Sequence, residues 1–246
     1  MTINEVYKLV QIFANKEQRG FITPSDFNLL AKQAELELYN KRLDIVKEKS
    51  QPKKIAGYYK EGLAPEVAEQ DIAHFYYISN VNPGKSAESH LGATSDVFAD
   101  YISHVTINSS FHHDIKTNIP VDIVTPENVS NILRSSLVKP SMAYPIALIN
   151  NGAVGWKGNR RKRISLFPNT IERCTVYYYL YDNTPKWSYV TIAGKPVYDV
   201  STSMNFQIST RCHGELVVKI LEYLGVHLRE ADVVQYASGK EMQEDS

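Results

Sequence analysis

The sequence predicts an α+β fold, with helices at both ends and a mainly antiparallel β region between them. Three observations lead there. Apolar residues recur at helical spacing in the first fifth of the chain and again after residue 213. Between these stretches the pattern changes to short alternating runs separated by Pro, Gly and Asn. The gaps between those runs are of hairpin length, which favours antiparallel sheet over a doubly wound fold. The division that follows is an N-terminal helical hairpin over 1–54, a β region with one inserted helix over 55–212, and C-terminal helices with a polar tail over 213–246.

The first helix runs from Glu5 to Lys16, with Val6, Leu9, Val10 and Phe13 on one face. Behind it, NKEQRGFITPSD has the glycine, apolar residue and final carboxylate of an EF-hand loop. The ligand positions would be Asn15, Glu17, Arg19 and Asp26, and Arg19 puts a cation where an oxygen is needed. Helix ends explain more of these residues. Gly20 suits a left-handed stop, Thr23 a cap with Pro24 at the first helical position, and Ile22 with Phe27 a hydrophobic staple around Asp26. The stretch is therefore expected to join two helices without binding calcium.

The second helix spans Pro24 to Lys49 and is apolar on two sides. Phe27, Leu30, Ala31, Ala34, Leu38 and Ile45 share one face, while Leu29, Leu36 and Leu43 recur at seven-residue intervals opposite. Such a helix is either sandwiched inside its own chain or shared with a neighbouring subunit, and the three leucines are the candidate subunit interface.

Strands are expected at His74–Ser79, Tyr101–Ile107, Tyr144–Ile149, Arg163–Phe167, Arg173–Tyr181, Trp187–Ile192 and Asn205–Ser209. A helix over Thr125–Ser136 interrupts them, opening with the same Thr-Pro chemistry as the second helix. Glu215–Leu224 is helical with Gly225 as its stop, a second short helix is expected at Ala231–Ser238, and KEMQEDS is a polar tail.

Lys plus Arg and Asp plus Glu are 27 each, so no net charge draws the chain toward nucleic acid or an anionic membrane. No apolar run reaches bilayer length and the N-terminus has no apolar signal core, so a soluble protein used without export is expected, with no membrane partner. Cys174 and Cys212 lack metal-ligand spacing and are expected to be reduced and packed. The 16 tyrosines cluster in strand-like segments such as TVYYYLYDN, where an apolar ring with a polar tip suits a half-buried sheet or an interface.

Candidate chemical sites are weak. SNVNPGKS, residues 79–86, ends like a phosphate-binding loop, but Ser79 replaces its first glycine and Pro83 removes a backbone donor. In FHHD, residues 111–114, adjacent histidines alternate faces on a strand and no second ligand cluster has matching spacing. No nucleophile elbow, zinc-binding helix or placed cysteine–histidine pair occurs. No enzyme, cofactor or metal is expected.

The runs NEVYKLVQIFANKEQRGFITPSDFNLLAKQAELELY and ELVVKILEYLGVHLREADVVQYASGKE, with YPIAL, ISLFPNTI and TPKWSY in order between them, resemble virion structural proteins of crAss-like bacteriophages of gut Bacteroidales. The resemblance implies a head-to-tail connector: a closed ring of about twelve copies below the portal, joining it to the next neck or tail ring around an axial channel for DNA. Arg160, Arg161, Lys162 and Arg163, after a Gly-Asn turn signal, are then either a solvated hairpin tip or a non-specific contact to DNA or to the adjoining ring. Two other readings are a monomeric β-sandwich that stacks host-surface carbohydrate on Trp156 and Trp187, and a nucleotide-dependent enzyme using the GKS turn.

Overall fold

The computed structural model describes residues 1–16, 21–50, 64–84, 92–111, 115–151 and 161–225, with backbone alone at 49–50, 108–111 and 115–117. In chain order the helices are α1 (Ile3–Lys16), α2 (Pro24–Ser50), α3 (Pro65–Asp71), α4 (Pro126–Arg134) and α5 (His213–Tyr223). The strands are β1 (Tyr76–Val81), β2 (Ala93–Phe98), β3 (Tyr101–Phe111), β4 (Ile115–Val124), β5 (Ile146–Asn151), β6 (Arg161–Phe167), β7 (Cys174–Tyr179), β8 (Tyr189–Ile192) and β9 (Lys195–Tyr198). The fold is α+β. The chain divides into two compact units rather than three consecutive regions: Met1–Phe75 together with Tyr181–Ser246, and Tyr76–Leu180. Helices from both ends of the chain thus share one core, and Trp187, just before β8, joins it.

In the helical unit, Thr2 and Glu5 cap α1 reciprocally: Glu5 N–H donates to Thr2 Oγ1 at 3.3 Å and Thr2 N–H to Glu5 Oε2 at 2.7 Å. Val6, Val10 and Phe13 are buried as the periodicity requires. The cap of α2 is also as expected, with Asp26 N–H donating to Thr23 Oγ1 at 3.2 Å and the Thr23 hydroxyl donating to Asp26 Oδ2 at 2.6 Å. Ile22 and Phe27 are both buried. The two helices do not pair lengthwise as a simple hairpin. They meet where the Tyr7 ring stands edge-on to Phe27, 4.9 Å between centroids, whereas α1 packs along α5, and α2 packs along α3 and α5. Gly20, Glu17 and Arg19 lie outside the described residues.

Two polar clusters tie this unit together. Arg42 on α2 donates from Nε to Asp71 Oδ2 at 3.0 Å and from Nη2 to Glu215 Oε2 at 2.6 Å, and Arg211 donates to Asp71 Oδ1 at 2.8 Å. One guanidinium fork thereby joins α2, α3 and α5. Glu35, fully buried on α2, accepts the backbone N–H groups of Gln207 and Ile208 at 2.6 and 3.1 Å. The expected strand at Asn205–Ser209 is for this reason not a strand: two of its donors end on a carboxylate instead of a neighbouring chain.

The second unit is a seven-stranded sheet in the order β1-β7-β3-β4-β5-β6-β2. Its pairs are antiparallel except β4–β5, which run parallel with Asp122 opposite Ile146. The sheet is thus mainly antiparallel, and the one parallel pair arises because α4 acts as a crossover between those two strands. Thr125 opens α4 without a side-chain cap, unlike Thr23, and its carbonyl accepts from Asn128 and Val129 instead. Just beyond β1, Gly84 exchanges both backbone hydrogen bonds with Thr94 of β2, at 2.9 and 3.0 Å. The chain leaving one edge strand thereby reaches the other edge, and the sheet curls round its larger core, a smaller one of Val129, Ile146 and Phe167 lying under α4. Ala93 and Val97 of β2, Val105 of β3, Ala147 of β5, Leu166 of β6 and Val176 of β7 all point into the larger core. Gly92, at φ +68°, leads into β2 where a Cβ would lie 2.6 Å from the Leu166 carbonyl oxygen, so only glycine fits.

Candidate functional site

The three leucines proposed as one stripe have three different environments. Leu29 is 67% exposed, Leu36 is half-buried and Leu43 is 2% exposed within its own chain. Leu43 is therefore core, not subunit interface. The C-terminal half of α2 is covered by α3 and α5, so a face that reads as spare in the helical wheel is already used. Leu29 lies before that cover begins.

The basic run is on a strand rather than at a hairpin tip. Arg161, Lys162 and Arg163 open β6, and each finds a neighbour on an adjacent strand or beside it; Arg160 lies outside the described residues. Arg163 Nε donates to Asp96 Oδ1 across the β2–β6 pair at 3.0 Å, which lowers the Asp96 carboxyl and raises the Arg163 guanidinium from their ordinary ranges. Lys162 donates to Asn151 Oδ1 at 2.6 Å, and the Arg161 guanidinium sits 4.9 Å over the Phe98 ring. Among the three described cations, Arg163 is thus ion-paired and the other two each lie against a different neighbour.

The glycine of the GKS turn is committed to the sheet through Thr94, so its N–H is not free for phosphate. Lys85, Ser86 and the segment His112–Asp114 lie outside the described residues. Among the described residues no group of three His, Cys, Asp or Glu side chains could hold a metal ion. No described helix is long and apolar enough to cross a membrane. Cys174 and Cys212 are free and buried, each thiol pushed up to about 11 chiefly by desolvation.

The β8–β9 ribbon is the feature that sequence reasoning did not single out. Its two-residue turn, Ala193-Gly194, has both residues at positive φ, 50° and 76°. That is the geometry that matches a right-handed ribbon twist. Its root is Trp187, which the carbohydrate-stacking reading needs exposed and which is buried. The indole Nε1 donates to Asn4 Oδ1 at 3.1 Å, the Trp187 backbone N–H donates to Asn28 Oδ1 at 2.7 Å, and Asn28 Nδ2 returns to the Trp187 carbonyl at 3.0 Å. Tyr7 stacks on the indole at 4.3 Å, with Tyr189 and Tyr198 at 5.8 and 5.7 Å. After β9, Asp199 accepts from Ser201 N–H, Ser201 Oγ and Thr202 Oγ1, a turn that fixes how the chain leaves the ribbon and holds the carboxyl below its usual range.

The two faces of the ribbon differ. Tyr189 opposite Tyr198 and Thr191 opposite Pro196 form the face turned to Trp187. Val190 opposite Val197, with Ile192 beyond, form the other, and these stand 50%, 43% and 58% exposed. Neither a protein-family model nor a curated protein sequence matches the chain. Function must be sought in these surfaces. Three adjacent aliphatic side chains on a two-stranded ribbon, with Lys195 opposite Ile192 at the turn end of the same face, are an association surface in chemical terms. The only sequence signal for them was the run YVTIAGKPVY, whose Ala-Gly centre marks a tight turn but whose alternation does not say which face is covered.

Proposed function

We propose that the chain is a non-enzymatic virion structural protein of the crAss-like phage type. In this reading it self-assembles into a closed ring in the phage neck, between portal and tail, around an axial channel for DNA. The observation that supports it is the bare aliphatic face of Val190, Ile192 and Val197, joined by the exposed Leu29 of the same unit. Covering a half-exposed valine or isoleucine contributes about 1 kcal/mol, and a closed ring repeats that gain at every subunit boundary. The strand placement of Arg161, Lys162 and Arg163 suits a loose, salt-sensitive contact to phosphates or to an acidic patch on an adjoining ring, with no base-specific component.

The test is light scattering and negative-stain imaging of the purified protein, alone and with portal. Rings that stack on portal are expected. The variant Val190→Ser, Ile192→Ser, Val197→Ser should stay folded and remain monomeric. A triple variant that assembles like the parent would remove the ribbon from the reading, and a parent protein that stays monomeric with portal would overturn the reading itself.

A further inference from the structure

His213 opens α5 with its imidazole 3% exposed, and neither ring nitrogen has a hydrogen-bond partner among the described residues. A buried ring with two unmet nitrogens is uncommon, because each gives up the water it would bind when exposed. The ring packs edge-on against Phe206, 5.8 Å between centroids at 63°. Phe206 belongs to residues 205–213, a segment that joins several elements of the helical unit. Asn205 Oδ1 accepts from Ile3 N–H at the start of α1 at 2.9 Å, Gln207 and Ile208 donate to Glu35 on α2, and Ser209 N–H donates to the Asp71 carbonyl on α3 at 3.0 Å. With the Met1 backbone and amino group and Glu5 also beside the ring, His213 lies where that segment, the first turn of α1 and the first turn of α5 meet.

The neutral ring suits this place and the protonated ring does not. The Met1 amino group is a second positive charge facing it, and the N-terminal end of α5 carries the positive end of the helix dipole. Glu5 on α1 favours a proton on the ring, but it is exposed and its Oε2 already accepts from Thr2 N–H. On α5, Glu215 is paired with Lys41 and Arg42, and in the turn before it Arg211 is paired with Asp71 of α3. On α2, Glu35 is engaged by Gln207, Ile208 and Tyr181. The Met1 and Ile208 backbones also favour the charged ring without reaching hydrogen-bond geometry, and burial outweighs them, holding His213 below the ordinary imidazole range.

We propose that His213 is a proton-operated latch: acidification charges the imidazole and opens the contact of the first turn of α1 with residues 205–213, while α2 and the sheet unit stay closed. An opened, solvated ring takes up its proton near about pH 6.5, and the closed one takes it up only at lower pH. The closed form is therefore fully favoured above about pH 6.5 and loses ground as the pH falls below it. Opening bares Phe206 and the apolar face of α1 at Ile3 and Val6, all buried in the closed form. Glu35 acts with the opposite sign, since its carboxyl is raised and its penalty is relieved in acid. The latch needs nothing from the assembly reading.

The experiment is amide hydrogen exchange of the full chain, resolved by NMR and corrected for the intrinsic exchange rate at each pH. Ile3 N–H, which donates to Asn205, reports the latch; Leu38 in α2 and Val176, paired on both sides in the sheet, report the rest. Between about pH 7.5 and about pH 5.5 the opening of Ile3 should rise about tenfold, as one proton taken up by the opened ring requires, with Leu38 and Val176 unchanged. His213→Phe keeps an aromatic ring against Phe206 and removes the titration, so its rise should stay below about twofold. His213→Gln, uncharged at both pH values, should behave the same way and serves if phenylalanine does not pack. Glu35→Gln should keep the rise. An equal rise in the parent and both His213 variants, or no rise in the parent, would overturn the proposal. Loss of the rise in Glu35→Gln would assign the response to the carboxylate and do the same. So would opening of Leu38 in step with Ile3, because acid would then unfold the helical unit as a whole.

Discussion

Tyr181 donates its hydroxyl to Glu35 Oε2 at 3.1 Å, inside the helical unit and away from solvent. With the two backbone donors on Oε1, the carboxylate has three hydrogen-bond partners and no cation among the described residues. Desolvation is the largest influence on its pKa and raises it, against the lowering effect of Ile208, Gln207 and Tyr181. The same pair pushes the Tyr181 phenol above its usual range, mainly by burial.

A raised carboxyl pKa means that the folded state holds the proton more tightly than the unfolded one. Glu35 therefore weighs against the fold above its folded-state pKa, and this penalty is relieved as pH falls through that value. The paired carboxylates Glu37, Asp96 and Glu215 are lowered and act in the opposite sense, losing their contribution on acidification. Comparing wild type with Glu35→Gln isolates the buried group: the variant should lose part of the stability gain on moving from neutral pH to about pH 5, measured by urea unfolding. Identical pH profiles would show that Glu35 titrates no differently when folded. Glu35→Leu should cost about 2–4 kcal/mol at either pH, because it orphans two buried amides.

Arg42→Leu is expected to destabilise by about 3 kcal/mol in the same assay, since it leaves Asp71 nearly buried with only Arg211 to neutralise it. The double change Arg42→Leu with Asp71→Leu should recover much of that loss. If it does not, the guanidinium matters through its reach to Glu215 rather than through Asp71.

Leu43 and Leu29 should separate cleanly. Leu43→Ala removes buried side-chain atoms between packed helices and should cost about 2–4 kcal/mol. Leu29→Ser should change stability by less than about 0.5 kcal/mol. Its effect should appear instead in light scattering, as weaker assembly. A Leu29 variant that unfolds early would place that residue in a core.

The ribbon turn offers a stabilising change. Ala193 holds φ 50°, which costs an ordinary L-residue, and asparagine tolerates that region better. Ala193→Asn should raise stability by about 0.5 kcal/mol, whereas Gly194→Ala at φ 76° should lower it by about 1 kcal/mol, both read from thermal melts. Equal melting temperatures for all three proteins would indicate that the ribbon frays before the unit unfolds.

Much of the helical framework was legible because it is written locally. The Thr23-Pro24 start and the apolar spacing of α1 and α5 each depend on residues within a turn or two of one another. β4 was missed because Pro120 stands in its middle, a residue that argues against a strand, and β2 because ATSDVF has too few apolar residues to show alternation. α3 is one short helix whose sole signal is Pro65 at its start. The site was harder still. Whether Leu43 or Val190 is covered depends on elements far away in sequence, and Trp187 and Val190 look alike as apolar residues until Asn4 and Asn28 are brought to the first and nothing to the second.

The sheet unit is one uninterrupted span, Tyr76–Leu180, set within the other unit's sequence, and its first and last strands pair directly, Tyr76 opposite Tyr179. Entry and exit are therefore neighbours, and the span behaves as an insertion held shut at its own neck. With the sheet unfolded, residues 1–75 and 181–225 would be joined by a tether whose closure costs about 4 kcal/mol in chain entropy. Once β1 and β7 have zipped together, that tether is reduced to two adjacent backbones. Formation of the helical core, to which both ends of the chain contribute, is thus favoured by prior closure of the inserted module, and the same neck marks where a short turn could replace the entire insert.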